Sequence, residues 1–309
     1  MSTGFPKKVK IVDVGPRDGF QNVKTFIDTE DKLVIIGKLY DAGIRAIEAT
    51  SFVSPKAIPQ MKDSSEIAKS VISAYPDLDI IALVPNLRGA QNAWDAGIRH
   101  VSCVISASEA HNQANVRRTV DESVDGLRQI VETFPDMKIQ LDVATAFGCP
   151  FSGKTPEEDV ISLIDKAVCL GVRNVTLCDT IGVANPYQSA RLIARCRENF
   201  PDIFFGVHFH NTRGMALANM VVAAQNGIDI FESCVGGLGG CPFAPGSEGN
   251  AATEDTVHMF TEMGIETGVD MTKMLDAVAY VAEHVDAPVT GKMLKVTTSS
   301  CMNVSGKAE

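Results

Sequence analysis

The sequence predicts a (β/α)8 TIM barrel with a short C-terminal helical extension, and three observations carry that expectation. Eight short runs rich in β-branched and apolar residues alternate with segments of helical spacing. The links between them are short, and no polar linker divides the chain. A glycine recurs where a helix would end and a strand begin, in DAGIRAIEA, DAGIRHVSC, LGVRNVTLC and NGIDIFESC. A length of 309 residues suits one such barrel, which needs roughly 250 residues, with additions.

Taken in order, the strands are expected at 9–14, 46–50, 80–85, 100–106, 139–145, 175–180, 204–210 and 230–235. The helices between and after them are expected at 30–42, 63–75, 88–96, 119–133, 156–170, 186–199, 214–226 and 252–263. Thr155, followed by Pro156, Glu157 and Glu158, reads as a hydroxyl cap before a proline and acids in a first turn. Strict alternation implies a parallel sheet, and eight units favour closure into a barrel. An open doubly wound sheet is the alternative, but no G-x-G-x-x-G follows the first strand to support a dinucleotide site. The barrel is expected to span about 9–265. A helix near 272–284 and a tail rich in Thr, Ser and Lys, within 266–309, extend it without forming a second domain, so 1–309 is one catalytic unit.

Composition narrows the function. With 45% hydrophobic, 21% charged and 6% aromatic residues, the chain can bury a large aliphatic core. A net charge of -10 argues against a nucleic-acid partner, whose phosphates are gripped mainly by Lys and Arg. No apolar stretch follows Lys7 and Lys8 to make a secretory signal, and none is long enough to span a bilayer. The eight cysteines, scattered without a C-x-x-C pair, fit a reducing cytoplasm with mostly inert core thiols.

Chemistry is expected at the carboxyl ends of the strands. GVHFHN ends the seventh strand with His208 and His210 two apart, so both side chains leave the same face. Either histidine alone is most simply a satisfied core or surface residue. As an inward pair on an apolar strand they need a partner, and a metal is the commonest. VGPRDG after the first strand brings Arg17 and Asp18 to the same mouth, and Gly15, Pro16 and Gly19 indicate a tightly shaped turn rather than a plain surface ion pair. His and carboxylate ligands with open positions suit Mg²⁺ or Mn²⁺ better than a closed structural zinc. After the eighth strand, GGLGGCPFAPGSEGN (236–250) carries six glycines, Cys241 and Asn250. Such a segment is either a plain connection or a lid whose thiol enters the site on closure.

The ordered set VGPRDGFQN, IEATSFVSPKAIPQM, ALVPNLRGA, SASEAHNQAN, GCPFSGK, CDTIGVANP, HFHNTRGMALAN, GGLGGCPFAPG and GNAATEDTV covers nearly the whole chain. In these motifs the sequence resembles the 3-hydroxy-3-methylglutaryl-CoA lyases, part of a larger group of metal-dependent barrel lyases, aldolases and Claisen-type synthases. The resemblance implies that Asp18, His208, His210 and Asn250 bind the metal. It implies that Arg17 stabilises a thioester enolate and that Cys241 takes part in proton transfer. Glu48 and Asp179 would support the metal ligands, unless they are only structural ion-pair partners, and Gln21 and Asn115 would contact substrate. The implied reaction is cleavage of 3-hydroxy-3-methylglutaryl-CoA to acetyl-CoA and acetoacetate, with an acyl-CoA as the partner molecule and a homodimer left open.

Two departures bear on the acyl group. Family members often read HCHDTYG where this chain has HFHNTRG, so Asn211 and Arg213 flank the ligands. The fifth strand reads LDVATAFGCP where a stretch richer in Ser and Cys is usual. A lyase for another branched 3-hydroxyacyl-CoA, such as citramalyl-CoA, is the alternative these changes raise. A non-catalytic acyl-CoA-binding barrel is the alternative from another class. A condensing synthase is disfavoured because such proteins carry a long C-terminal extension.

Overall fold

The structure is a computed structural model that describes residues 4–240 and 249–297. Eight parallel strands close into a barrel in sequence order, with the first paired to the eighth. The first half runs β1 (Lys10–Asp13), α1 (Thr29–Asp41), β2 (Ala46–Ser51), α2 (Ser64–Ala74), β3 (Asp79–Leu83), α3 (Leu87–Asp95) and β4 (His100–Ser106). Two helices follow β4, α4 (Glu109–Val116) and α5 (Val120–Thr133), then β5 (Lys138–Ala144) and α6 (Glu157–Cys169). The ring is completed by β6 (Asn174–Asp179), α7 (Pro186–Asn199), β7 (Phe204–Phe209), α8 (Ala216–Gln225), β8 (Ile230–Ser233) and α9 (Thr253–Glu262). Beyond it, α10 (Met271–His284) packs between α1 and α9, and α11 (Met293–Thr297) rests on α9 and α10. Tyr280 of α10 donates its hydroxyl to Asp31 of α1 at 2.8 Å.

The four repeated glycines do what the motif requires. Gly43, Gly97, Gly171 and Gly227 have φ of 104°, 95°, 97° and 81°, values open to glycine and costly for a side chain. At Gly43 a Cβ would also lie 2.2 Å from the Gly268 carbonyl oxygen, so this turn needs both the conformation and the space. Two residues beyond the first three glycines stand Arg45, Arg99 and Arg173, each donating Nη1 to the carbonyl five residues earlier and to the one just before it. The arginine thereby satisfies backbone acceptors that a helix end leaves over.

The expected caps are partly corrected. The N-cap of α6 is Pro156, and Thr155 spends its hydroxyl on the Thr145 carbonyl at 2.7 Å, fastening the β5–α6 connection instead. The helix α4 has no counterpart among the expected elements. It starts from Ser108, whose side chain accepts from the His111 amide. Several strands are shorter than expected. For example, β3 ends at Leu83, two residues before Pro85, and the chain after β8 turns into a 3-10 segment at Val235–Gly237. Among the described residues, no helix is long and apolar enough to cross a membrane. Of the six cysteines described, five are buried and only Cys169 is exposed; burial pushes the Cys103 and Cys196 thiols up to about 12.

Candidate metal centre

The first strand turns sharply into the site. Val14 offers its carbonyl to the amides of Arg17, Asp18 and Gly19, winding Gly15–Gly19 into a π-turn that carries Arg17 and Asp18 to the barrel mouth. Glycine is required at its start, since a Cβ on Gly15 would lie 2.7 Å from Val235 Cγ1 and 2.8 Å from Asp13 Oδ1. Two strands away around the ring, β7 delivers His208 from within the strand and His210 just beyond its end. His210 forms an isolated antiparallel bridge with Asn250, and the Asn211 amide donates to the Gly249 carbonyl at 2.6 Å. Asn250, far away in sequence, is thereby fixed beside the histidines.

Asp18, His208 and His210 each offer a ligand atom within 4.8 Å of one another. The Asn250 amide donates to Asp18 Oδ2 at 2.7 Å and to the Leu238 carbonyl at 3.0 Å. That leaves Asn250 Oδ1 buried with no hydrogen-bond partner, and His210 Nδ1 is in the same state. An unpaired buried acceptor costs free energy, so two in one cluster fit a cation that accepts their lone pairs. His208 Nδ1 lies 3.0 Å from Glu232 Oε2, and with Nδ1–H donating to that carboxylate Nε2 is left for a metal in the carboxylate–histidine arrangement common at such centres. His210 is held by a hydrogen bond with the Thr180 backbone.

Electrostatics sort the groups by charge. Burial alone would raise the Asp18 carboxyl, but Arg17, the two histidines and the Asn250 amide hold it at about 2, ready to ligate as a carboxylate. Burial and the neighbouring His208 push His210 down to about 4, keeping it neutral as a ligand must be. Arg17 is buried too, yet Glu48 and Asp18 keep its charge in place. It donates Nε to Glu48 Oε2 and Nη1 to Asp18 Oδ1 at 2.6 Å. Glu48 is oriented in turn by the Ser102 hydroxyl, 2.5 Å from its other oxygen.

The remaining expected residues fall in different places. Gln21 donates to Asp18 Oδ1 at 2.7 Å and, with Asn115 of α4, lines a cavity of about 610 Å³ that also takes in Arg17, Asp18, His208 and His210. Asp179 is committed to the loop after β6, accepting from the Val183 and Ala184 amides at 2.9 Å each; burial raises its carboxyl to about 6. Cys241 lies outside the described residues. Asn211 and Arg213 do not line the cavity. Asn211 accepts from the Ala216 amide at the start of α8, and Arg213 donates Nη1 to the Ile181 and Gly182 carbonyls. No sequence motif marks Glu232, Ser102 or Asp142. Each is a polar residue inside an apolar strand, and that alternation was the available signal.

The model of the family described as HMGL-like matches residues 8–281. The chain is 43% identical to the hydroxymethylglutaryl-CoA lyase YngG of Bacillus subtilis, over 96% of this chain and 99% of that one. It superimposes on a crystal structure of a Bacillus subtilis HMG-CoA lyase with a TM-score of 0.92, at 43% identity, covering 96% and 99% of the two chains. It is similar to an HMG-CoA lyase from Acinetobacter baumannii in complex with coenzyme A and 3-methylmalate, with a TM-score of 0.90, 37% identity and 98% of each chain covered.

Proposed function

The chain belongs to the HMGL-like family, and from that premise we propose that it cleaves 3-hydroxy-3-methylglutaryl-CoA to acetyl-CoA and acetoacetate. It is a carbon-carbon lyase acting on an acyl-CoA. The observation that carries the reading is the cluster of Asp18, His208 and His210 beside the buried, unpartnered Asn250 Oδ1, opening into the same cavity as Arg17. Asp18, His208, His210 and Asn250 would hold the divalent metal, with Mg²⁺ or Mn²⁺ matching the mixed oxygen and nitrogen donors. When bound, the metal supplies Lewis acidity that lowers the proton affinity of the substrate hydroxyl and fixes the scissile bond.

The chain's own residues divide the rest of the work. Asp18 accepts the hydroxyl proton as the bond between the second and third acyl carbons breaks, while His208, with Nδ1 on Glu232 and Nε2 toward the metal, holds the reacting end in place. Arg17, fixed by Glu48 and Ser102, presents its guanidinium where negative charge grows on the thioester oxygen. Cys241 returns a proton to the acetyl-CoA enolate. Gln21 and Asn115 contact the substrate, and Asp179 steadies the loop that holds His210. Residues 1–309 act as one catalytic unit in the cytoplasm, with neither nucleic acid nor membrane as a partner and with a homodimer left open.

A lyase for a different branched acyl group is favoured by one observation: the unusual fifth strand places Asp142 on the cavity wall. Both readings are tested by incubating the protein with 3-hydroxy-3-methylglutaryl-CoA and a panel of branched 3-hydroxyacyl-CoAs, citramalyl-CoA included. Acetyl-CoA from the first substrate at the highest kcat/KM is the expected result. Preference for another member moves the assignment to that substrate, and acetyl-CoA from none leaves a non-catalytic acyl-CoA-binding barrel.

A further inference from the structure

The barrel lumen beneath the metal centre holds three buried carboxyl groups, Glu48 on β2, Asp142 on β5 and Glu232 on β8. Two are fully employed. Glu48 takes Arg17 on one oxygen and Ser102 on the other. Glu232 accepts from Gln140 at 2.9 Å and Thr176 at 3.2 Å on Oε1, and pairs with His208 on Oε2. Asp142 differs. Its Oδ1 accepts from the Gln140 amide at 2.7 Å, while its Oδ2 has no hydrogen-bond partner among the described residues. The residue is only 4% exposed, and what exposure it has faces the cavity it lines together with Arg17, Asp18 and His208.

We propose that Asp142 is a substrate-contacting residue of this lyase, its free Oδ2 hydrogen-bonding an oxygen of the acyl group held in the cavity. The inference rests on the lyase reading for the identity of the ligand and on the lumen geometry for the contact. The contact is made by a neutral carboxyl acting as donor, for two reasons. One Gln140 amide nitrogen bridges Asp142 and Glu232, so two carboxyls face each other across a single –NH2, an arrangement that disfavours ionising both. The nearby cation is already paired, Arg17 with Glu48 and Asp18. The groups facing Asp142 from the packed strands and the turn after β1 are Glu48, Glu232, Arg17 and the thiols of Cys103 and Cys178. Burial, then the charges of Glu232 and Glu48, raise the Asp142 carboxyl well above the usual carboxylate range, in line with that balance. A buried donor on the pocket wall favours an acyl group with an oxygen at that point and penalises one with a methyl there.

Asp142→Asn keeps a neutral donor at nearly the same volume, and Asp142→Ala removes it. In the metal-loaded enzyme, Asp142→Ala is expected to lower kcat/KM for 3-hydroxy-3-methylglutaryl-CoA about tenfold or more, whereas Asp142→Asn loses about threefold or less. Mn²⁺ affinity should be the same in all three proteins, separating this role from damage to the metal centre. Wild-type kcat/KM should fall on the alkaline side as the carboxyl ionises, and Asp142→Asn should lack that limb. Calorimetric titration of chelator-treated wild type and both variants with the same acyl-CoA reads the contact without turnover, again with alanine weaker and asparagine close to wild type. Failure of the wild type to release acetyl-CoA would count against the lyase reading, and the titration would still judge Asp142. Wild-type affinity and kcat/KM in Asp142→Ala, or an asparagine variant as impaired as the alanine one, overturns the proposal.

Discussion

At the scale of single residues, the site works by holding each group in the protonation state its task requires. Removing the Asp18 carboxylate by Asp18→Ala should abolish tight metal binding, because the remaining donors are neutral and His208 is spoken for on one side by Glu232. Glu232→Gln keeps the shape but weakens the carboxylate–histidine pair, and should lower Mn²⁺ affinity about 10–100-fold in a competition titration. Cys241→Ala should leave that affinity near wild type and slow turnover; full activity would make the thiol a bystander. Much of this is legible in sequence, because two histidines at strand spacing and an acid in a glycine-bounded turn are local patterns. Glu232, Ser102 and Asp142 were not, since their meaning lies in which strand stands opposite, and pairings such as Ser102 with Glu48 exist only after closure of the barrel. Asn211 and Arg213 show the reverse: neighbours of the ligands in sequence, they are occupied with loop backbone and stay off the cavity wall.

At the scale of elements, the helix-to-strand turns give the clearest test. Gly171 and Gly43 share a positive φ, but a Cβ meets nothing within 4 Å at Gly171 and sits 2.2 Å from a carbonyl oxygen at Gly43. Gly171→Ala should cost about 1–2 kcal/mol in denaturant unfolding, from conformation alone. Gly43→Ala should cost measurably more, because the backbone around Gly268 must move. Equal costs would mean that this contact relaxes freely. These turns were readable because helix termination is local chemistry. The helix α4 was not, because EAHNQANV is short and mostly polar, so no apolar stripe announces it. Thr155 misled for a similar reason: a hydroxyl before Pro and two acids satisfies the local rule for a cap, while the tertiary fold offered it the Thr145 carbonyl.

For the whole molecule, the buried acids set how stability depends on pH. Burial raises Asp13 to about 7 and Glu254 to about 8, although Asp13 accepts from Thr253 and Gly15, and Glu254 from the Gly236 amide. Both are raised above their unfolded values, so the folded state binds these protons more tightly. The stability they lend is full below about pH 4 and declines as pH rises toward 7–8. Asp18 has the opposite sign, held at about 2, and its contribution is lost as pH falls below about 4. Metal-free protein should therefore melt at its highest temperature near pH 5 and at a lower one at pH 8, and Asp13→Asn should flatten the upper slope. The closure of eight strands that creates these buried pairs was predictable from their count and alternation, whereas the place of α10 between α1 and α9 depends on packing that no single segment announces.

The central claim is that the cluster at the barrel mouth holds a divalent metal needed for acyl-CoA cleavage. Its most direct test is acetyl-CoA release from 3-hydroxy-3-methylglutaryl-CoA by chelator-treated protein before and after Mg²⁺ or Mn²⁺ is added back. The prediction is no product without metal, recovery in the wild type with either ion, and no recovery in Asp18→Ala at the same concentration. Full activity in the chelated protein, or in Asp18→Ala, would contradict it.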